Sequence, residues 1–309
     1  MLFETIQAKR NPPADTKPSF ANKTVLVTGA NTGVGYEAAL KFVRQGAERV
    51  ILGVRSLKKG EDARARIQNA VGPQKGQEAT TIEVWELDML SYPSIQAFAS
   101  RADKEIQHLD YAILNAGVVS ASYAPSDYGW EKTLQVNTLS TTLLALLLLP
   151  QMRQRASHKA TAFTPVLELV SSSNSYYYSS LIKDNGQGHL QTYNEAQNFS
   201  AWTTYNISKV FLDFAKRGLA SLASPPRGSE THPAGTAPGP DVFVLSVCPG
   251  PTRSELAREQ TAWWARIAMG LISTFLQRST EEGSRSYVSG VTQGLDGHGG
   301  FWTNDKLRE

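Results

Sequence analysis

Hydrophobic and polar positions divide the chain into short apolar, β-rich runs separated by longer stretches with helical spacing. Short apolar runs without strict alternation are typical of strands that are buried on both faces of a parallel sheet. Repeated strand–helix–strand units of this kind predict a single-domain α/β fold with a doubly wound parallel sheet. The sequence predicts strands at residues 24–28, 49–54, 81–87, 111–114, 166–170 and 242–247.

Some segments lie outside this alternation. Residues 1–22 mix charges with prolines and predict a loosely structured arm ahead of a domain at residues 23–309. Residues 173–204 are polar and aromatic, which fits a functional loop over a site and an ordinary surface insertion about equally well. The proline-rich residues 224–240 predict an exposed connection.

Two apolar stretches have helical character. The run at residues 143–149 is far shorter than the roughly 20 residues of a membrane-spanning helix, so it predicts a buried helix and no stable membrane anchor. Residues 255–278 carry apolar side chains at helical spacing, Trp263 and Trp264 among them, and predict an amphipathic helix.

Composition narrows the function classes. The 309 residues carry a formal net charge of +3, from 31 basic and 28 acidic side chains, without a clustered basic stripe. This distribution disfavours nucleic-acid binding. Cys248 is the only cysteine, so the chain can form no internal disulfide and no cysteine-based metal site. We therefore expect no metal, a reducing environment and a cytoplasmic location.

A glycine-rich turn follows the first predicted strand and precedes a helical stretch. Glycines permit a tight turn, let the backbone approach a pyrophosphate and aim the N–H groups of a helix N-terminus at its charge. The spacing G-x-x-x-G-x-G differs from the general G-x-G-x-x-G fingerprint, and a purely structural turn is the alternative. Its position favours phosphate binding by a set of turn residues: Gly29, Asn31, Thr32, Gly33, Val34 and Gly35.

The end of the second predicted strand indicates which dinucleotide would bind. An NAD-binding fold places an acidic residue there, on the ribose 2′-hydroxyl. This chain has Arg55, whose planar set of donors suits a 2′-phosphate that a carboxylate would repel. The sequence therefore predicts NADP(H) as the cofactor.

With these motifs in this order, the sequence resembles the short-chain dehydrogenase/reductase family, in particular its retinol dehydrogenase-like and fungal members. The resemblance runs from about residue 23 to the C-terminus and implies a Rossmann-type fold. It implies that Gly29, Gly33 and Gly35 bind the cofactor and that Asp88, after the third strand, contacts its adenine region. The family's Asn-Ala-Gly motif is present as Asn115, Ala116 and Gly117.

A tyrosine and a lysine four residues apart share one face of a helix. The chain has two such pairs, Tyr128 with Lys132 and Tyr205 with Lys209. Only Tyr205 follows a strand that ends in serine, at the end of the sheet where the ligand is expected. The pair Tyr205–Lys209 is therefore the candidate for acid–base chemistry and for contact with the cofactor, and a helix-surface pair is the alternative.

Three serines follow the fifth predicted strand. The family resemblance points to the second one, Ser172, as the catalytic serine, whereas physical reasoning leaves Ser171 and Ser173 open. Assigning the role to Ser172 requires the segment between it and Tyr205 to fold back over the site.

The resemblance implies further site residues. Asn137 corresponds to the family asparagine of a water-mediated proton route, and an asparagine buried in a helix can also satisfy backbone groups. The turn after the sixth strand corresponds to the family's Pro-Gly turn beside the nicotinamide, and residues 255–278 correspond to a substrate-covering helix in which we expect one tryptophan to line the pocket. The turn contributes Pro249, Gly250, Thr252 and Ser254.

These residues predict a proton-transfer mechanism. The Lys209 ammonium should lower the pKa of the Tyr205 phenol by roughly 1 to 3 units from its ordinary value near 10. Tyr205 would then exchange a proton with the substrate oxygen, Ser172 would hold that oxygen, and Lys209 would also hold the nicotinamide ribose.

The sequence thus predicts an NADP(H)-dependent oxidoreductase that acts on a carbonyl or alcohol. The aromatic segments favour a fairly large apolar small molecule, as for a ketoreductase of secondary metabolism. The alternatives are a non-catalytic nucleotide-binding scaffold and a dehydratase or epimerase of the same fold with no net redox change. The helix at residues 133–149 and the Tyr205 helix form subunit contacts in many relatives, which makes a homodimer possible.

Overall fold

The computed structural model describes residues 6–7, 9–72, 79–156, 163–180, 182–183, 186, 188–224, 239–252 and 277–308. The strands are β1 Thr24–Thr28, β2 Arg49–Val54, β3 Thr81–Glu86, β4 Tyr111–Leu114, β5 Val166–Val170, β6 Phe243–Cys248, β7 Phe301–Thr303 and β8 Lys306–Arg308. The helices are α1 Gly33–Arg44, α2 Leu57–Val71, α3 Tyr92–Glu105, α4 Lys132–Leu134, α5 Thr141–Ala156, α6 Asn174–Ser179, α7 His189–Asn194, α8 Ala201–Ala223 and α9 Thr280–Gly290. A π-helical stretch at Gln135–Ser140 joins α4 to α5.

The strands form one sheet in the order β3-β2-β1-β4-β5-β6-β7-β8, in which β1 to β7 are parallel and β8 is antiparallel. The chain order reverses between β1 and β4, and ligands bind at such a switch point. This arrangement confirms the predicted doubly wound α/β fold. β7 and β8 were not predicted from the sequence, because each has only three residues.

Side chains on the two faces of the sheet enter two separate hydrophobic layers. Along β1, Val25 and Val27 pack in one layer and Leu26 packs in the other, and all three are fully buried. Because successive side chains of a strand point to opposite faces and both faces are covered here, the three central positions of β1 are all apolar.

One apolar helical stretch among the described residues, Lys132–Arg153, is long enough to cross a membrane by length and composition. In the structure, 67% of the most apolar 18 residues of this stretch is buried inside the protein. Leu144 and Leu148 are fully buried in the layer that also contains residues of α3 and α8. The stretch is thus accounted for as a core helix.

The described part of the N-terminal arm is held against the domain. Phe20 is 1% exposed and packs edge-on against Phe42 and Tyr111, with ring centroids 4.8 and 5.2 Å away. The Asp15 carboxylate pairs with Lys41 at 3.0 Å, and the Ala14 N–H donates to an Asp305 carboxylate oxygen at 2.7 Å. A loose arm, as the sequence predicted, does not account for these contacts, which involve residues far away in the chain.

The described residues ahead of α8, 173–180, 182–183, 186 and 188–200, pack against this helix. Tyr193 of α7 is buried with Ile207 and Phe211 of α8. Asn194 accepts a hydrogen bond from the Glu131 N–H at 2.7 Å through its side-chain oxygen. The segment is therefore anchored next to the helix that carries Tyr205.

Candidate active site

The glycine turn connects β1 to α1. Gly33 has a φ of +63°, which favours glycine, and no described atom lies within 4 Å of the position a Cβ would take there. At Gly35 a Cβ would collide with the side-chain amide of Asn115. Thr32 precedes α1 without a side-chain capping bond, so the first N–H groups of this helix remain available to an anion.

Asn115, directly after β4, holds this turn in place. Its Nδ2 donates to the Thr28 carbonyl oxygen at 2.8 Å, and its Oδ1 accepts from the Tyr287 hydroxyl at 2.9 Å. The Ala116 N–H donates to the Thr28 hydroxyl at 2.9 Å. The sequence did not reveal Tyr287, because it lies in α9 and is separated from Asn115 by 172 positions.

Arg55 and Asp88 follow β2 and β3, which are neighbours of β1 in the sheet. Arg55 is exposed, and Asp88 accepts a hydrogen bond from the Leu90 N–H at 2.9 Å through its side chain. Arg66 of α2 donates to the Asn31 carbonyl oxygen at 2.8 Å and so supports the glycine turn from outside. Arg66 therefore contacts the glycine turn directly, and the sequence had not indicated this residue.

Tyr205 and Lys209 lie one helical turn apart near the start of α8, beside the end of β5. The Ser172 side chain lies close enough to the Tyr205 phenol to interact with it and lower its pKa. Lys209 is buried, and its Nζ donates to the Val170 carbonyl oxygen at 2.8 Å. The structure therefore brings together the three side chains that the sequence named as catalytic candidates.

The other serines and the other tyrosine–lysine pair are placed differently. The Ser171 hydroxyl is buried and faces the Lys209 carbonyl oxygen at 3.4 Å. The Ser173 N–H donates to the Cys248 sulfur at 3.2 Å. Tyr128 is 42% exposed and its ring lies against Tyr92, with centroids 4.3 Å apart.

Asn137 lies fully buried in the π-helical stretch. Its side chain accepts from the Val118 N–H at 2.8 Å and donates to the Val118 carbonyl oxygen at 2.9 Å and to the Ser208 hydroxyl at 3.0 Å. A Cβ at Gly117 would lie 3.2 Å from Asn137 Oδ1 and 3.7 Å from Lys209 Nζ. Asn137 thus joins the Asn-Ala-Gly loop to α8 at the level of the lysine.

Burial raises the pKa of Tyr205 above its ordinary value near 10, Cys248 raises it further, and the hydrogen bond from Ser172 opposes the shift. Burial lowers the pKa of Lys209 to about 8. The predicted lowering of the phenol pKa is therefore wrong. The physical reason is that loss of hydration dominates, while the Lys209 ammonium is directed at the Val170 carbonyl.

The turn after β6 contains Pro249, Gly250 and Thr252. Gly250 has a φ of +75°, and a Cβ there would lie 2.7 Å from a guanidinium nitrogen of the fully buried Arg278. Thr252 pairs with Arg278 in a short parallel bridge. Arg278, which the sequence did not indicate, therefore supports this turn from behind. Ser254, Trp263, Trp264 and most of the predicted helix at 255–278 lie outside the described residues.

These residues fit a dinucleotide. The open backbone at Gly33 and the free N-terminus of α1 suit a pyrophosphate, and Arg55 is an accessible cation after the next strand. Tyr205 and Lys209 lie at the opposite side of the switch point, beside β5, where a nicotinamide ribose would be held.

Comparison with known proteins gives the same picture. The family model for short chain dehydrogenases matches residues 23–180, about half of the chain. The chain belongs to the short-chain dehydrogenase/reductase family. It is thus a member of an oxidoreductase family that binds a nicotinamide cofactor.

Among its relatives, the short-chain dehydrogenase/reductase phmF of Phaeosphaeria nodorum is 38% identical over 97% of this chain and 82% of its own length. The short-chain dehydrogenase/reductase ffsI of Aspergillus flavipes is also 38% identical, over 97% of this chain and 82% of its own length. The solved structure of L-sorbose reductase from Gluconobacter frateurii, complexed with NADPH and L-sorbose, has a TM-score of 0.65. It is 16% identical and covers 93% of this chain and 97% of its own, so the likeness shows the shared fold.

Proposed function

We propose that this short-chain dehydrogenase/reductase is an NADPH-dependent ketoreductase, which reduces a carbonyl group of a fairly large apolar small molecule. The observation that carries the proposal is the cluster of Ser172, Tyr205 and Lys209: the Ser172 side chain interacts with the Tyr205 phenol, and Lys209 lies one helical turn from Tyr205. These residues lie at the carboxyl end of β5. The glycine turn and Arg55 lie at the same end of the sheet, after β1 and β2.

The chemistry of the side chains follows from their environment. The reduced nicotinamide supplies the hydride when it is bound. Tyr205 is protonated at neutral pH, as a tyrosine ordinarily is, and burial, which raises its pKa, keeps it so. It can therefore donate its proton to the carbonyl oxygen. The Ser172 hydroxyl orients that oxygen. Asn137 and the Val170 carbonyl hold α8 and Lys209 in position.

NADPH is the preferred cofactor in this proposal because an arginine, Arg55, takes the place where NAD-binding folds carry a carboxylate. Its exposed guanidinium would pair with the 2′-phosphate. The L-sorbose reductase structure is a complex with NADPH, although that protein shares only the fold.

The substrate class and the metabolic role are supported by two features. Aromatic side chains of residues 173–204 pack on α8, the helix that carries Tyr205, and Trp202 contacts Tyr205 itself. The relatives phmF and ffsI are fungal proteins. We therefore assign the enzyme to secondary metabolism. The cytoplasmic location expected from the lone cysteine stays a prediction.

The proposal is tested by following NADPH and NADH oxidation over a panel of apolar ketones and aldehydes, with product analysis. Wild type should prefer NADPH, and Tyr205→Phe should lose activity by about 100-fold or more, as expected for removal of a general acid. Tyr128→Phe, from the other tyrosine–lysine pair, is the matched control and should retain full activity. Turnover that survives in Tyr205→Phe would contradict the assignment. Products formed without net NADPH oxidation would indicate a dehydratase or epimerase, and tight NADPH binding without any turnover would indicate a scaffold.

We also propose that two copies associate through an apolar groove between α5 and α8, which has a volume of about 740 Å³. Leu146 and Phe214 line this groove and are 42% and 45% exposed. Such exposed apolar surface is typical of interfaces. Phe214→Glu should give monomers in size-exclusion chromatography with light scattering. Leu295→Glu is the control, because Leu295 is 60% exposed and lies outside the groove, and this change should leave the dimer intact. A monomeric wild-type protein would contradict this proposal.

A further inference from the structure

Trp202 is stacked on the candidate acid Tyr205. It lies in the first turn of α8, three positions before Tyr205, so the two side chains share one face of the helix. Their ring centroids are 5.7 Å apart and their planes are inclined by only 21°. The two rings are therefore nearly parallel, and one of them belongs to Tyr205, the residue that would donate the proton.

Most of the Trp202 ring faces solvent. Its side chain is 57% exposed, and among the large apolar side chains that the structure describes only Leu295, at 60%, is more exposed. A tryptophan normally buries most of its apolar surface, and aromatic rings gain further from offset stacking. Tyr205 covers part of the indole, and the remaining surface is available to another planar ring beside the reaction site.

We propose that Trp202 is a specificity-determining residue, which selects ketones whose carbonyl is conjugated to a planar aromatic ring by stacking on that ring. This inference rests on the proposed reduction at Tyr205 and narrows its substrate class. A planar aromatic ring that lies against the exposed part of the indole, beside the Tyr205 ring, can place a carbonyl conjugated to it near the phenol. A puckered saturated ring cannot stack in this way.

The competing role for Trp202 is to shield Tyr205 from water. A shield would act equally on every substrate, and its removal would change kcat and the pH profile together. A stacking platform would act on KM or on ligand affinity, and only for planar substrates. The two roles therefore predict different measurements.

The experiment compares 1-tetralone with 1-decalone, which have the same bicyclic carbon skeleton but differ in the aromatic ring. Affinities are measured by calorimetry on protein saturated with NADP+, where no reduction takes place, and kcat and KM are measured with NADPH. Trp202→Leu should weaken tetralone binding roughly 2- to 12-fold relative to decalone, the range expected for an aromatic pair. Trp202→Phe should restore most of the preference. Trp130→Leu, in the separate groove between α5 and α8, is the control and should leave the ratio unchanged.

Each outcome bears on a different conclusion. Equal weakening for both ketones, an unchanged ratio, or no measurable binding of either ketone to wild type would overturn the role of Trp202. Selective binding of tetralone that depends on Trp202, without any reduction by NADPH, would support the stacking role and contradict the proposed reductase function.

Discussion

Lys209 donates a hydrogen bond from Nζ to the Val170 carbonyl oxygen, at 2.8 Å, inside the wall of the candidate site. This contact fixes the ammonium at the end of β5 while burial lowers its pKa to about 8. A buried lysine whose pKa lies this close to neutrality loses its charge within the working range of an enzyme.

We therefore expect the rate of ketone reduction to fall as the pH rises through about 8, because Lys209 then loses the charge that would hold the nicotinamide ribose in the proposed mechanism. The Tyr205 phenol, with its raised pKa, remains a proton donor over this range. The measurement is the pH profile of kcat/KM. In Lys209→Arg the guanidinium stays charged, so the alkaline decline should disappear even though the rate is lower. An identical decline in that variant would assign the titration to another group.

Arg55→Asp should reverse the cofactor preference. Loss of a charge-assisted bond to the 2′-phosphate should weaken NADPH binding by about 10- to 150-fold, and NADH binding should change little. Dissociation constants from fluorescence titration provide the measurement. Arg64→Asp on the neighbouring helix α2 makes the same charge change at a residue paired with Glu61, and it should leave the preference intact. Equal losses for both dinucleotides in Arg55→Asp would contradict a role in selecting NADPH.

Glu168 of β5 is fully buried, and burial raises its pKa well above 4.5. Neither carboxyl oxygen has a hydrogen-bond partner among the described residues. The folded protein keeps the proton that the unfolded chain releases above pH 4.5. Stability from this group is therefore complete below that pH and is lost as the pH rises toward the folded pKa, by about 1.4 kcal/mol per pH unit.

Glu168→Gln removes this titration, so its free energy of unfolding should decline less with pH than that of wild type. Urea denaturation at a series of pH values measures the two slopes. Parallel curves for the two proteins would show that Glu168 does not contribute, and Glu86→Gln, at an exposed position at the end of β3, is the control that should follow wild type.

Removal of residues 2–15 should destabilise the protein by about 1 to 3 kcal/mol, the loss expected for a few hydrogen bonds including charged ones. The deleted segment contains the Asn11 carbonyl that accepts from Arg278 at 3.1 Å and the Asp15 carboxylate that pairs with Lys41. Thermal and urea denaturation provide the measurement.

A shorter deletion, of residues 2–8, keeps both contacts and is the matched control. It should leave the stability close to that of wild type. If the two deletions have the same effect, the contacts of Asn11 and Asp15 do not hold the arm.

The strands β1, β2, β4 and β5 have the bounds that the sequence predicted, because each is a short apolar run whose character is local. β3 ends one residue earlier than predicted and β6 is shifted by one residue, which are small boundary differences. The three-residue strands β7 and β8 carry too short a pattern to be recognised without the neighbouring β6.

What the sequence by itself determined is therefore whatever depends on neighbours along the chain: the alternation of strands and helices, the glycine turn, and the spacing that places Tyr205 and Lys209 on one helical face. Only the tertiary structure decided that Ser172 lies beside Tyr205, that the phenol pKa rises instead of falling, and that Arg278 supports the turn at Gly250. These features depend on burial and on contacts between residues far apart in the chain, and desolvation and packing become defined only when the folded chain brings those residues together.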